Sequence, residues 1–177
     1  MTITPDGKDW TWVLERQCPE CGYDARAVAG HDVALRLREQ VPLWTEVLAA
    51  GSARTRPGPT TWSPLEYGCH VRDVCTLFDQ RLGLMLAEED PEFANWDQDE
   101  TAVAEDYAGQ DPLAVAVELA AAAESIASSF DEVSADQWSR SGRRSDGATF
   151  SVETFARYFL HDVVHHGWDV TTSTRTD

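Results

Sequence analysis

Apolar residues recur at helical spacing in several segments of this 177-residue chain, and this pattern constrains the fold more than any other feature. In the first such segment, residues 31–50, the apolar positions are three or four residues apart and share one helical face. They are Val33, Leu37, Val41, Trp44 and Leu48. No segment shows the polar and apolar alternation that is typical of a half-buried strand. The pattern predicts an all-α protein, folded as an antiparallel four-helix bundle.

The second predicted helix has the most clearly marked start. Residues 63–66, Ser-Pro-Leu-Glu, form a capping box with proline at the first helical position. Trp62 can pack against Tyr67 as a hydrophobic staple across this start. The helix is predicted to run to about Glu88.

Two further helices complete the predicted bundle. One begins at Asp111-Pro112 and runs through an alanine-rich stretch of high helix propensity to Phe130. The last is capped by Ser151 and extends to about Asp169.

The segments outside these helices define the domain organisation. Residues 90–109 and 134–149 are predicted to be irregular connections, the former with room for a short helix. Residues 1–30 are predicted to form an irregular N-terminal extension, and residues 31–177 a single bundle domain. One domain also suits the length of the chain.

Charge and hydropathy exclude several classes of partner. The formal net charge of −17 would repel a nucleic acid backbone. No stretch approaches the roughly 18 apolar residues that a membrane span needs, and the N-terminus lacks the pattern of a secretion signal. We therefore expect a cytoplasmic protein whose four cysteines are reduced.

Three histidines have the spacing of a metal site. His161 and His165 are four residues apart, so a helix places both imidazoles on one face. His70 is predicted to lie on the inward face of the second helix and can supply a third ligand, leaving a position open for water or substrate. The alternative is that they are ordinary core or surface histidines. His166 is about 100° away from His165 around the helix, so it lies outside this set unless it replaces His165.

Carboxylates and thiols near these histidines allow further roles. Asp73 and Asp169 could each accept a ring hydrogen from a ligating histidine, although solvated helix carboxylates are the simpler interpretation. Cys18 and Cys21 form half of a zinc-site pattern, but a complete four-cysteine site is not predicted. The pair is interpreted as a reduced, turn-forming pair, with a metal bound by other ligands as the alternative.

These motifs resemble the DinB-like superfamily over approximately residues 31–172. The resemblance is carried by the capped segment Trp62-Ser-Pro-Leu-Glu-Tyr-Gly-Cys-His70 and by the terminal His161-x-x-x-His165-His166. Proteins of this family are four-helix bundles that hold a divalent metal with one histidine from the second helix and two from the last. The resemblance therefore implies His70, His161 and His165 as ligands.

The same superfamily includes mycothiol-dependent maleylpyruvate isomerases and bacillithiol or mycothiol S-transferases. In the isomerases a glutamate commonly occupies the position matched by His161, so this chain resembles the three-histidine branch more closely. The resemblance implies a homodimer that acts as a metal-dependent thiol S-transferase, joining a low-molecular-weight thiol such as mycothiol to a small electrophile. Three neutral imidazoles accept zinc, nickel, copper or iron, and we expect zinc or nickel. The alternatives are a non-catalytic metal-binding sensor or structural dimer, and a metal-dependent hydrolase.

Overall fold

Four long helices form a bundle, as the sequence predicts. A computed structural model describes residues 9–172. The helices of the bundle are α1 (Val33–Ala49), α2 (Pro64–Ala87), α4 (Pro112–Asp131) and α5 (Val152–Thr172). The short helix α3 (Gln98–Ala104) lies in the connection between α2 and α4. Both α1 and α2 pack mainly against α4 and α5 rather than against each other. Helices α1 and α2 therefore stand at opposite corners of the bundle.

Large apolar side chains fill the space between the helices. Phe159 of α5 is fully buried, and its ring lies 5.3 Å from Phe78 of α2 and 5.9 Å from Phe130 of α4, measured between centroids. Trp44 contributes from α1 and is also buried. This core fixes α5 along one side, leaving its other side for the polar residues described below.

A small three-stranded sheet is present where the sequence predicts only irregular connections. Its strands are β1 (Glu92–Phe93), β2 (Ser141–Arg144) and β3 (Thr149–Ser151). The β2–β3 pair is antiparallel, whereas β1 pairs parallel to β2 from about fifty residues away, with Glu92 opposite Arg143. Strands of two to four residues are too short to show period-two alternation, and a parallel partner so distant leaves no local signal.

The capping box at the start of α2 is confirmed. The Glu66 backbone N–H donates to Ser63 Oγ at 3.3 Å, and Glu66 Oε2 accepts from the Ser63 backbone N–H at 2.8 Å. Glu66 is buried, and its carboxylate also accepts from Arg56 Nε at 2.8 Å. The predicted staple is present too, with the Trp62 and Tyr67 rings 5.5 Å apart. The start of α2, which carries His70, is therefore fixed at several points.

Glu66→Gln is expected to reduce the free energy of unfolding at pH 7 by about 2 kcal/mol, because Arg56 and Ser63 lose a charged acceptor. Burial alone would raise the pKa of Glu66, but bonds from Arg56 and Ser63 outweigh it and hold this pKa below 4.5. Because the pKa of Glu66 is lower in the folded than in the unfolded protein, its ionised carboxylate stabilises the fold at pH values above the unfolded-state pKa. The difference in stability between wild type and Glu66→Gln should therefore shrink as the pH falls below 4.5. Urea unfolding of wild type and Glu66→Gln, at pH 7 and at acid pH, measures this difference in stability. Exposed Glu46→Gln is the control, and equal stability of the two variants at pH 7 would contradict the prediction.

By length and composition alone, helix α4 is long and apolar enough to cross a membrane. Its apolar residues pack into the bundle, however, and include Leu119, Ile126 and Phe130. A core helix of a soluble protein has the same composition. Leu113 and Val117 remain exposed on the same helix. Homodimer formation stays a prediction.

The extension before α1 lies against α5. Its 3-10 helices are Thr11–Leu14, Ala25–Ala27 and Gly30–Asp32. Two hydrogen bonds attach the extension to Arg157 of α5: Tyr23 Oη donates to the Arg157 carbonyl at 2.9 Å, and Arg157 Nε donates to the Val28 carbonyl at 2.7 Å. The segment that carries Cys18 and Cys21 is thereby held beside the last helix.

Candidate metal centre

Helix α5 presents two pairs of potential ligands, each with i, i+4 spacing. His161 and His165 form one pair, and Asp162 and His166 form the other, displaced by one residue. One residue corresponds to about 100° around a helix, so the two pairs face different neighbours. The first pair faces the extension and the second faces α2.

The second pair meets His70, and we name these three residues the His70 cluster. His70 Nε2 lies 3.3 Å from Asp162 Oδ1, which in turn lies 3.6 Å from His166 Nε2. The potential ligand atoms all lie within 4.8 Å of one another. Nitrogen and oxygen ligands bound to one ion at about 2.0 to 2.2 Å are roughly 3 to 3.5 Å apart. The cluster therefore has about the dimensions that a single ion requires.

Buried polar atoms in the His70 cluster have unsatisfied hydrogen-bonding capacity. Within the described part of the chain, both ring nitrogens of His70 and Asp162 Oδ1 have no hydrogen-bond partner of acceptable geometry. His70 Nε2 and Asp162 Oδ1 are close, but their directions do not form a hydrogen bond. Leaving such atoms buried and unpaired is costly. A cation between His70 Nε2 and Asp162 Oδ1 would give both atoms a partner, so the residues present fit a divalent metal.

Neighbouring groups orient the two histidines. His166 Nδ1 lies 2.8 Å from Asp169 Oδ2, which favours the tautomer that directs a basic Nε2 toward the cluster. The His70 ring stacks on Trp96 with an interplanar angle of 4° and also contacts Trp62. Asp73 has a different role, because it accepts hydrogen bonds from Tyr107 and Arg72. Of the two predicted carboxylate partners, Asp169 therefore contacts a cluster histidine and Asp73 pairs elsewhere.

The pKa shifts in the His70 cluster favour the protonation states that bind metal. Burial lowers the pKa of His70 despite the opposing attraction of Asp162, so its imidazole is neutral near pH 7. Burial alone would raise the pKa of Asp162, but His70 and the neighbouring histidines outweigh it and lower this pKa to about 2. A neutral imidazole and an ionised carboxylate are the ligand forms that a divalent ion needs.

The first pair on α5 meets the cysteines of the extension, and we name Cys18, Cys21, His161 and His165 the extension cluster. Their potential ligand atoms also lie within 4.8 Å of one another. Cys18 Sγ is 3.7 Å from His165 Nδ1. Burial, with a smaller effect of His165, lowers the pKa of His161 to about 4, so this ring is neutral near pH 7.

The predicted trio is thus divided between two groups. His161 and His165 lie together as predicted, but with Cys18 and Cys21, whereas His70 lies with Asp162 and His166. A shared ion for His70, His161 and His165 stays a prediction. Asp162 does not belong to the ligand set predicted from the sequence. The signal that could have found it is the second i, i+4 pair on α5.

A cavity of about 800 Å³ adjoins both clusters. Its wall includes ligand candidates from both pairs on α5 and a set of carboxylates from several segments. The carboxylates are Asp9, Glu20, Asp97, Asp99, Asp146 and Asp169. Indole rings of Trp10, Trp62 and Trp96 also line it. The cavity is therefore acidic and aromatic, and it is large enough for a small organic molecule.

Comparisons with known proteins agree with this fold. A search of curated proteins found no match. YfiT from Bacillus subtilis has a similar structure, with a TM-score of 0.71 and 17% identity over 98% of this chain and 93% of that chain. That protein is described as a probable metal-dependent hydrolase with an unusual four-helix bundle topology. The DinB superfamily profile matches residues 34–170, which cover nearly the whole bundle. This chain belongs to the DinB superfamily.

Proposed function

We propose that this protein is a metal-dependent thiol S-transferase whose divalent ion is held by His70, Asp162 and His166. The observation that carries the proposal is that, among the described residues, the ring nitrogens of His70 and Oδ1 of Asp162 are buried without hydrogen-bond partners beside an acidic and aromatic cavity. Three protein ligands leave coordination positions open, as catalytic metal sites do. Zinc and nickel both accept imidazole nitrogen, and they remain the metals that we propose.

The chemistry divides between the ion and the protein. When bound, a divalent ion supplies Lewis acidity that lowers the pKa of a thiol beside it. The thiol sulfur then forms a bond to the electrophilic carbon of the second substrate, whose leaving group departs with its bonding electrons, and the thiol proton passes to solvent. Asp169 holds His166 in its ligating orientation, and Trp62 and Trp96 confine the ring of His70.

The lining of the cavity favours a particular class of thiol. Its carboxylates would repel an anionic thiol but can accept hydrogen bonds from hydroxyl groups. The charge of Arg144, the only arginine or lysine among the described residues that line the cavity, is compensated by Asp146 at 2.7 Å. Indole rings offer flat apolar surfaces for a sugar ring. We therefore propose an uncharged or cationic, hydroxyl-rich thiol of the mycothiol type rather than a polyanionic thiol such as glutathione.

Metal-dependent hydrolysis is the second candidate. The open positions beside the His70 cluster suit water as well as a thiol, and YfiT, which shares the fold, is described as a probable metal-dependent hydrolase. In that case, a thiol would not be consumed. A protein that binds metal without catalysis, as a sensor or structural dimer, would turn over neither class of substrate.

Activity assays with several different thiols distinguish the transferase, the hydrolase and the non-catalytic metal-binding protein. The protein is stripped with a chelator, reloaded with zinc or nickel, and given a haloaromatic electrophile with mycothiol, cysteine or glutathione. We expect conjugate formation that needs both metal and thiol, with mycothiol preferred at least about tenfold over glutathione, which corresponds to about 1.4 kcal/mol. Activity on esters or amides without thiol would favour the hydrolase. Metal binding without turnover of either substrate class would overturn the transferase.

A further inference from the structure

The two cysteines of the extension lie in a turn of the kind that presents both sulfurs to one ion. The Gly22 backbone N–H donates to the Cys18 carbonyl at 3.0 Å, and the Cys18 N–H donates to the Tyr23 carbonyl at 2.8 Å. Gly22 has a φ of 77°, which favours glycine, so the residue after Cys21 allows this tight return of the chain. Cys-x-x-Cys is the common spacing for two thiolate ligands of zinc.

Helix α5 supplies the complementary pair of nitrogens. His161 and His165, one turn apart, face the Cys-x-x-Cys turn, and Cys18 Sγ lies 3.7 Å from His165 Nδ1. Sulfur and nitrogen bound to zinc at about 2.3 and 2.0 Å, with tetrahedral angles, are about 3.5 Å apart. The observed separation is therefore close to that of two ligands of one zinc ion, without a large movement of either chain segment.

Two further observations point to a ligand here. Nε2 of His161 is buried and, among the described residues, has no hydrogen-bond partner. Glu20, which lies between the two cysteines, places Oε2 at 3.3 Å from His165 Nε2. Metal-ligating histidines commonly donate their second ring N–H to a carboxylate in this way. The contact therefore orients His165 with Nδ1 toward the thiols.

We infer that Cys18, Cys21, His161 and His165 bind a second metal ion, a structural zinc. Two sulfur and two nitrogen donors form the closed tetrahedral set that zinc prefers, with no position left for substrate. All four residues are buried or half-buried. The ion ties the extension to α5. It would thereby fix Trp10 and Glu20, which form part of the cavity wall.

Cobalt substitution of the full-length protein tests the inference. We expect thiolate-to-cobalt charge-transfer absorption and intense tetrahedral bands in the wild type. Cys21→Ser should lose the charge-transfer absorption of its thiolate and weaken this site, lowering zinc content by one equivalent. Cys69→Ala, which removes a buried thiol outside both clusters, should retain the spectrum and the zinc. Both readouts are independent of catalysis, so the inference stands or falls separately from the transferase.

X-ray absorption at the zinc edge of the unmutated protein provides a test that does not depend on a variant folding. With zinc loaded to two equivalents per chain, so that both clusters are filled, we expect sulfur scatterers at about 2.3 Å in addition to nitrogen at about 2.0 Å. A zinc shell without sulfur, or an unchanged cobalt spectrum in Cys21→Ser, would overturn the inference. A Cys18–Cys21 disulfide in the freshly purified protein would do so as well.

Discussion

His70→Ala is expected to remove one equivalent of bound metal and to reduce thiol transfer by more than about 100-fold. Removing a group that only hydrogen-bonds to a metal ligand typically costs about 10- to 100-fold in metal affinity or activity. Because His70 is itself a proposed ligand, its loss should cost more. Asp162→Ala and His166→Ala should have the same effect, because all three belong to the His70 cluster. Asp169→Asn should cost about tenfold, since it weakens the orientation of His166. Metal analysis and conjugate formation measure both effects.

The same measurements decide between the two ligand sets. His31→Ala is the control, because this histidine is exposed and belongs to neither cluster. We expect His161→Ala to lose a different equivalent, the one that Cys21→Ser also loses. If His161→Ala and His70→Ala instead lose the same equivalent, with the cysteine variants unaffected, the three-histidine site predicted from sequence is correct. In that case the division into two clusters is wrong.

Phe159→Ala is expected to reduce the free energy of unfolding by about 3 to 5 kcal/mol, because a fully buried ring is replaced by a cavity at the junction of three helices. For a chain of this size, that corresponds to a fall in Tm of roughly 10 °C. Calorimetry of the metal-loaded protein measures it. Well below the new Tm, metal content should be unchanged, since Phe159 packs in the core and does not belong to either cluster.

Two further variants serve as controls for Phe159→Ala. Phe159→Leu should recover more than half of the lost stability, because most of the volume is restored. Leu113→Ala removes an exposed apolar side chain from α4 and should change stability by less than about 0.5 kcal/mol. A Phe159→Ala protein as stable as Leu113→Ala would contradict the placement of this ring at the centre of the bundle.

Helical spacing and end signals predicted the bundle because they are local. The capping box at Ser63 and the proline after Asp111 mark helix starts that the structure places at Pro64 and Pro112. The superfamily match over residues 34–170 confirms the family resemblance that the sequence motifs indicated. The sheet could not be predicted, since β1 and β2 join from distant segments and each is only a few residues long.

The sequence by itself determined that α5 would carry histidines one turn apart and that His70 would lie inside the bundle. Only the tertiary structure decided which residues meet. Because adjacent residues on α5 differ by about 100° in direction, the faces of Asp162 and His166 and of His161 and His165 point to different neighbours. The packing of α2 brings His70 to the face of Asp162 and His166, and the extension brings Cys18 and Cys21 to the face of His161 and His165. These long-range contacts depend on the packing of whole segments, which no local spacing records.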